Sequence, residues 1–298
     1  MVPAVRGTLE RVDALTPSQT AGYVAGYACA LRRKAASSTR AAAGNESLAS
    51  LDGWYQSLPT LSAQTSGNGI ADKGALTQVM RWKLAREKHR PTLLALIASN
   101  SAPTCAAVLH RAASHLLSHT LLSLDSNSQQ LLDAVLGTMK ILAELRGVGP
   151  ATSSAIVAAW CDCGIFQSDE LVCNVLGPRV KVEYSWSFYR RFYVAAIECL
   201  KEMRDKGVKS GRAMERIAWS MFYSNPDDPD DAGAQEEKTV TATPQAKTST
   251  ATAEEKHANA ASGPAPKRKT LERNVEVAHT PDAKHAPSSR TSKRIRRV

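Results

Sequence analysis

Apolar residues recur at intervals of three and four positions through most of the chain between residues 75 and 223. Leu131, Leu132, Val135, Met139 and Leu142 show this spacing, which puts one apolar stripe along a helix. Comparable stripes predict helices at residues 76–87, 92–98, 103–122, 128–145, 150–160, 169–175, 187–205 and 210–223. The pattern therefore favours a helical domain with a substantial core.

Alternation of apolar and polar residues, the pattern of a half-buried strand, occurs at residues 179–184. Val180, Val182 and Tyr184 alternate with polar neighbours there, but the run is too short to build a sheet. The predicted fold class is therefore all-α.

Three segments of different composition divide the chain. Residues 1–50 contain a predicted helix at about 18–33, capped by Thr16, followed by a low-complexity stretch rich in Ala and Ser. Residues 51–223 form the predicted helical domain. Residues 224–298 have few large apolar side chains, so burial cannot offset their ordering entropy, and a disordered tail is predicted.

The charge balance indicates a polyanionic partner. The net charge is +10, and residues 224–298 hold 13 Lys and Arg against 11 Asp and Glu, which leaves +8 for residues 1–223. A basic folded domain favours nucleic acid, with a solvated basic surface as the alternative. No apolar run approaches the length of a membrane span, and the six cysteines follow no secretory signal, so we expect reduced thiols in an intracellular protein.

Residues 145–156 (LRGVGPATSSAI) have the residue types of a phosphate-binding turn between two helices. Gly147 and Gly149 permit a close approach of the backbone, and Pro150 suits the first turn of a helix. Backbone N–H groups at such a helix start bind anions without reading a base, whereas an ordinary turn between helices is the alternative. The predicted contacts are Arg146, Gly147, Val148, Gly149, Ala151 and Thr152.

This segment resembles the helix-hairpin-helix of the DNA glycosylase superfamily, typified by endonuclease III and the alkyl-base glycosylases. Members carry a catalytic aspartate at an interval after the second hairpin glycine that here, 20 residues beyond Gly149, ends at Asp169. The resemblance covers residues 75–175 and implies a glycosylase-like fold. It also implies that Asp169 supports attack at the anomeric carbon of an extruded nucleotide, or stabilises the oxocarbenium-like charge there.

Differences between this chain and the family limit the reactions that the resemblance implies. Bifunctional members have a lysine where this chain has Ala151, which argues against a Schiff-base lyase and leaves a monofunctional glycosylase. Glu170 is not the usual neighbour of the aspartate, and the four-cysteine pattern of an iron–sulfur cluster is missing, so no cofactor is expected. Capping of a helix by Ser168 or Asp169 would explain the same residues without catalysis.

A basic block at residues 81–90 (RWKLAREKHR) is the densest charge cluster of the predicted domain. Helical spacing places Lys83, Arg86 and Arg90 on one outer face, where they would bind phosphates beside the hairpin. A solvated basic face is the alternative. The order of this block, the hairpin and residues 168–171 also resembles a group of eukaryotic proteins, a likeness that supports the domain boundaries and implies no activity.

Other clusters of residues give weaker indications of function. His115 and His119 lie one helical turn apart, and Cys161, Cys163 and Cys173 are near in sequence, but neither set completes a metal site. The aromatic run at residues 184–193 fits a helix core or a base-stacking surface. Basic clusters at residues 267–269 and 293–297 are typical of nuclear-import signals.

These patterns predict a nuclear, DNA-binding protein that grips the DNA backbone, with or without base-excision activity. A helical interaction or scaffold protein without enzymatic activity is the alternative. No membrane association is predicted, and the sequence does not indicate an oligomeric state.

Overall fold

The computed structural model describes residues 10–37, 46–63, 69–86, 90–119 and 123–224. Regular structure within these ranges is helical throughout, which confirms the predicted all-α class for this part of the chain. The helices are α1 (Pro17–Ser37), α2 (Leu48–Ser57), α3 (Lys73–Arg86), α4 (Pro91–Ala98), α5 (Ala102–Leu117), α6 (Ser128–Leu142), α7 (Pro150–Trp160), α8 (Asp169–Leu176), α9 (Trp186–Met203) and α10 (Gly211–Tyr223). The predicted disordered tail, beyond Ser224, lies outside the described residues.

The starts of the helices are set by local hydrogen bonds. A side-chain oxygen just before the first turn accepts a bond from a backbone N–H two or three residues later, which satisfies a donor that the helix itself cannot. Thr16 caps α1 as predicted, and the Gln19 side-chain oxygen in turn accepts from the Thr16 N–H at 2.8 Å. The capping residues are Thr16, Ser47, Asp72, Ser101, Asn127, Ser168, Ser185 and Ser210.

Helix α7 occupies the centre of the core. Every residue from Ala151 to Trp160 is buried, because α3, α6 and α10 pack around this helix. Its sequence is apolar or small on all sides, as a fully enclosed helix requires. The turn that precedes α7 is therefore anchored to a helix that the core encloses on all sides.

The N-terminal helix belongs to the same folded unit. Helix α1 packs along α10, where Tyr27, Ala30 and Leu31 form a small apolar cluster with Leu48 and Trp219. The first segment of the chain therefore contributes a helix that packs onto the helical domain.

Residues 179–184 form no strand in the described structure. Val180 and Val182 still pack against the core. The alternation of apolar and polar residues therefore indicates which side chains face the core, although no strand is formed. The segment is fixed instead by Gln167, whose amide donates to the Glu183 carbonyl at 2.7 Å.

No single helix in the described ranges has the length and apolar composition needed to cross a membrane. One bent pair, Thr92–Ala98 with Ala102–Leu117, meets those criteria jointly at an angle of 94°. Five residues of α5 are buried in the protein core.

The loop between α7 and α8 packs backbone against backbone. A Cβ atom on Gly164 would lie 2.6 Å from the Val157 carbonyl carbon and 2.7 Å from the Ala158 Cα. A Cβ atom on Gly211, at the start of α10, would overlap the Gly164 carbonyl group. The Gly211 N–H also donates to the Asp162 carbonyl at 2.8 Å, so glycine at both positions lets α10 close onto this loop.

Candidate functional site

The turn between α6 and α7 spans residues 143–149. Val148 is buried and fixes the turn to the core, and its N–H donates to the Leu145 carbonyl at 3.1 Å. Gly149 precedes Pro150, the first residue of α7, in an extended conformation. Two helices joined by a short turn therefore lie where the sequence predicted them.

Asn100 locks this turn to the end of α4. Its side-chain amide donates to the Arg146 carbonyl and accepts from the Arg146 N–H, each at 3.0 Å. The same buried amide donates to the carbonyls of Leu96 and Ile97 at 3.2 and 3.1 Å. Sequence reasoning missed this residue because an Asn after a helix indicates only that the helix ends.

The two turn glycines have different roles. Gly147 has a positive φ of 85°, and a Cβ atom there would lie 3.0 Å from the Leu96 Cβ and 3.2 Å from the Leu93 carbonyl oxygen. Gly147 is therefore needed for packing against α4. Gly149 has φ −109°, and a Cβ atom there would meet no atom within 4 Å. The open space needed by a ligand lies in front of Gly149.

Backbone donors remain available at this turn. Among the described residues, no hydrogen-bond acceptor faces the N–H groups of Gly147, Gly149 and Ala151. The Arg146 side chain is exposed beside them. Thr152 does not fit its predicted contact role, because its side chain is buried and its N–H donates to the Gly149 carbonyl at 3.1 Å.

Replacing Asn100 with alanine is expected to loosen the turn. The change leaves the N–H and carbonyl groups of Arg146 without their partner, at a cost of about 1–3 kcal/mol in the free energy of unfolding. Urea unfolding of Asn100→Ala against Ser99→Ala tests this, since Ser99 is exposed and its hydroxyl bonds only to the Leu96 carbonyl. Equal unfolding free energies for the two variants would show that the clamp does not stabilise the turn.

The predicted basic face is wrong for two of its three residues. Lys83 and Arg86 are only 4% and 1% exposed, while Arg90 is exposed. Helix α3 packs against α2 on one side and α7 on another, so both faces are covered. Helical spacing alone suggested an outer face, because it contains no information about which elements surround the helix.

Arg86 is the centre of a buried ionic network. Its guanidinium pairs with Asp52 at 3.1 Å and with Glu215, and it donates to the Tyr27 hydroxyl at 2.9 Å. The guanidinium also lies over the rings of Trp82 and Trp219, at 4.8 and 3.8 Å from the ring centroids. These contacts assign Arg86 to the core and remove it from the predicted DNA contacts.

The carboxylates of this network depend on Arg86. Burial raises the pKa of Glu215, and the guanidinium opposes that rise. Asp52 accepts bonds from the Tyr27 hydroxyl and the Trp82 indole, each at 2.9 Å. The network therefore joins α1, α2, α3 and α10 through one buried cation.

Asp169 is the first residue of α8, but it does not cap that helix. Ser168 does, since its hydroxyl oxygen accepts from the Leu171 N–H at 3.2 Å. The Asp169 carboxylate is half-exposed and accepts a 2.6 Å hydrogen bond from the Tyr184 hydroxyl. The capping alternative thus applies to Ser168 and leaves the Asp169 side chain available for another role.

Tyr184 joins Asp169 to two residues of the basic block at 81–90, and these four residues form the Asp169 cluster. The Arg90 guanidinium lies 4.8 Å from its ring centroid and the Lys83 ammonium 6.0 Å, while its hydroxyl holds Asp169. In the same aromatic run, Tyr189 and Tyr193 are fully buried, so most of that run is core. Tyr184, outside α9, is only partly buried.

Glu170 points the opposite way from Asp169. It is buried, and its carboxylate accepts from the Tyr223 hydroxyl at 2.9 Å. Burial raises the pKa of Tyr223, which keeps the phenol protonated as the donor. The adjacent acidic residues therefore have separate environments, one in the core and one at the surface.

Helix α4 connects the turn to the Asp169 cluster. Arg90, beside Tyr184, directly precedes α4, and Gly147 contacts Leu93 and Leu96 further along the same helix. An α-helix of this length spans about 12 Å. The turn and the cluster therefore lie along one short helix.

Two cavities lie away from this cluster. One of about 620 Å³ is lined by Leu116, Trp160, Cys161, Cys163, Arg204 and other residues. A second, of about 760 Å³, borders Trp54, Pro59 and Gln78. Asp169 lines neither of them, so neither would present a base to its carboxylate.

Metal-ligating side chains do not converge within the described ranges: no group of three or more His, Cys, Asp or Glu residues is placed to hold an ion. His115 and His119 have ring centroids 5.1 Å apart, and His115 bonds to Thr138.

No protein-family model, curated protein or solved structure matches the chain. Its function is therefore inferred from the turn and the Asp169 cluster themselves.

Proposed function

We propose that this protein binds DNA by holding a backbone phosphate at the turn 143–149 and the start of α7. The observation that carries this proposal is a turn clamped by Asn100 that leaves the N–H groups of Gly147, Gly149 and Ala151 without an acceptor among the described residues, with open space at Gly149. Fixed donors at a helix start favour an anion because no reorganisation is needed when it binds. The phosphate contact positions the protein and reads no base.

The positive net charge of residues 1–223 supports a polyanionic ligand. Residues 1–223 hold a net charge of +8, and Arg146 and Arg90 are exposed near the two ends of α4. Nuclear residence belongs to the same proposal and rests on the basic clusters at residues 267–269 and 293–297, outside the described residues.

A monofunctional DNA glycosylase is the more specific candidate. It rests on the resemblance of residues 145–156 and on the half-exposed Asp169 carboxylate, whose orientation Tyr184 fixes. In such a reaction, Asp169 would stabilise positive charge at the anomeric carbon or orient the attacking water, with no cofactor. The alternative is a DNA-binding protein without catalysis.

Gly149→Val is expected to weaken duplex binding at least tenfold while the domain stays folded. The new side chain fills the open space at Gly149, where the proposed phosphate would lie, and its Cβ meets no protein atom within 4 Å. Fluorescence anisotropy with a labelled duplex measures the affinity. Gly53→Val is the matched control, because its Cβ would also meet no atom but lies in α2.

Salt dependence gives a second readout of the same site. Arg146→Ala should reduce the slope of log affinity against log salt by about 0.9 if Arg146 neutralises one phosphate. Unchanged affinity in Gly149→Val together with an unchanged slope in Arg146→Ala would reject DNA binding at this turn.

Asp169→Asn is expected to abolish base release while leaving duplex affinity within about twofold, because the phosphate contacts are at the turn. Wild type and variant are compared on duplexes that carry different damaged bases, with Asp162→Asn as the exposed-carboxylate control. Tyr184→Phe should give an intermediate rate, since only the hydroxyl bond to Asp169 is lost. Base release that persists in Asp169→Asn, or is missing from wild type, would reject the glycosylase and leave the DNA-binding proposal standing.

A further inference from the structure

Two thiols meet in the loop that leaves α7. The Sγ atoms of Cys161 and Cys163 lie 3.4 Å apart, and both residues are half-buried. Both also line the partly open cavity of about 620 Å³ next to Trp160. Because a disulfide bond measures about 2.05 Å, the sulfurs need to approach by roughly 1.4 Å to become covalently joined.

The backbone of this loop is held from several sides. The Cys161 N–H donates to the Val157 carbonyl at 3.0 Å, and the Gly211 N–H donates to the Asp162 carbonyl at 2.8 Å. The Tyr193 hydroxyl donates to the Cys163 carbonyl at 2.9 Å. These bonds keep the two sulfurs adjacent in the folded protein, which an unfolded chain would not do.

The pair is also polarised. Contact between the two sulfurs lowers the pKa of Cys163 from its ordinary value and raises that of Cys161, whose thiol also donates to the Val157 carbonyl at 3.6 Å. Burial instead raises the pKa of Cys173 to about 11 and that of Cys199 to about 12. Because the thiolate is the nucleophilic form, Cys163 is the thiol prepared for attack.

We propose that Cys161 and Cys163 form a dithiol site that hydroperoxides oxidise to an intramolecular disulfide. The Cys163 thiolate attacks the terminal peroxide oxygen, the O–O bond breaks, and Cys163 becomes a sulfenic acid while the leaving oxygen takes up a proton as water or alcohol. Cys161 then attacks the Cys163 sulfur, the S–O bond breaks, and a second water leaves. The two thiols lose two electrons in total, and the peroxide gains them.

The site is independent of the proposed DNA binding. It lies in the loop from α7 to α8, between the turn at the start of α7 and Asp169. A failure of the phosphate contact would not affect the thiol chemistry, and the converse also holds.

Hydrogen peroxide is the probe, and the Cys173→Ser protein is the background. Trypsin then yields peptide 147–179 with Cys161 and Cys163 as its two cysteines. After brief oxidation of the folded protein and alkylation of the remaining thiols, we expect this peptide to lose two hydrogens and to resist alkylation. Cleavage before Asp162 should leave the two fragments joined until a reductant is added.

Single substitutions establish the order of the steps. Adding Cys161→Ser should let sulfenic acid accumulate at Cys163, where dimedone traps it, because the resolving thiol is gone. Adding Cys163→Ser should slow oxidation of Cys161 at least tenfold, and thermal unfolding of each variant checks that the fold is retained. In urea, the preference of peroxide for this pair should disappear.

Three outcomes would contradict the dithiol proposal or its order of steps. Oxidation of Cys105 or Cys199 at the same rate as Cys163, or a Cys161–Cys163 disulfide that forms no faster in the folded protein than in urea, would overturn the proposal. Sulfenic acid at Cys161 in place of Cys163 would overturn the assigned order of attack.

Discussion

Arg86→Met is expected to lower the free energy of unfolding by about 3–5 kcal/mol, because it leaves buried carboxylates without their cation. Asp52 and Glu215 are each almost inaccessible and contact the guanidinium directly. The methionine would fill much of the space between Trp82 and Trp219. The lower free energy of unfolding would therefore arise mainly from the missing charge and less from lost packing volume. Urea unfolding measures the effect, with the exposed Arg90→Met as control.

The stability of Arg86→Met should also depend on pH, and the direction of this dependence follows from the pKa of Glu215. Arg86 opposes the rise in the pKa of Glu215, so its removal raises that pKa further. A carboxyl group with a raised pKa binds its proton more tightly in the folded state, which stabilises the fold below the usual carboxyl pKa. This stabilisation is lost as the pH rises through the folded-state pKa.

The difference in the free energy of unfolding between wild type and Arg86→Met should therefore be smaller at about pH 5 than at about pH 8. Adding Asp52→Asn and Glu215→Gln should recover part of the stability, because the uncompensated charges are then gone. A deficit below about 1 kcal/mol at both pH values, similar to that of Arg90→Met, would show that the network does not stabilise the fold.

Gly164→Ala is expected to destabilise the protein by about 3 kcal/mol or more, because overpacking against the backbone has no flexible side chain to yield. The added methyl group would overlap the Val157 carbonyl and lie 2.7 Å from the Ala158 Cα in the central helix. The loop must then move away from α7, which disrupts its bond from Gly211. Thermal and urea unfolding measure the loss.

Gly53→Ala is the matched control for this change. Gly53 lies within α2, where a Cβ atom would meet nothing within 4 Å. Alanine should stabilise the helix there by about 0.5–1 kcal/mol. If both alanine variants unfold at the same urea concentration, the close packing inferred for the loop at Gly164 is wrong.

The candidate site combines predicted and unpredicted residues. The hairpin segment and Arg90 were identified from their residue types and spacing, and Asp169 from the resemblance to the DNA glycosylases; α4 and Tyr184 connect them in space. Asn100 and Tyr184 were not assigned these roles, since each acts on a residue far from it or in another element. Lys83 borders the cluster from a buried position, and Arg86 belongs to the core.

Local chemistry determined the helices of this protein from its sequence alone. A cap such as Ser168, a first-turn proline such as Pro150 and apolar residues at helical spacing act within a few positions of one another. Their consequences can therefore be predicted without knowing the rest of the chain. The central burial of α7 also follows from its composition, since it has no polar face to present to water.

Tertiary structure alone decided which charges are buried and which groups meet. Arg86 and Glu215 are 129 positions apart, and Asn100 and Arg146 are 46 apart. Helical periodicity gave Arg86 an outer face, but the packing of α2 and α7 around α3 buried it, and Asp52 of α2 and Glu215 of α10 supply its carboxylate partners. A charged side chain is stable in the core only where the fold supplies partners from distant segments, and those partners cannot be identified from local spacing.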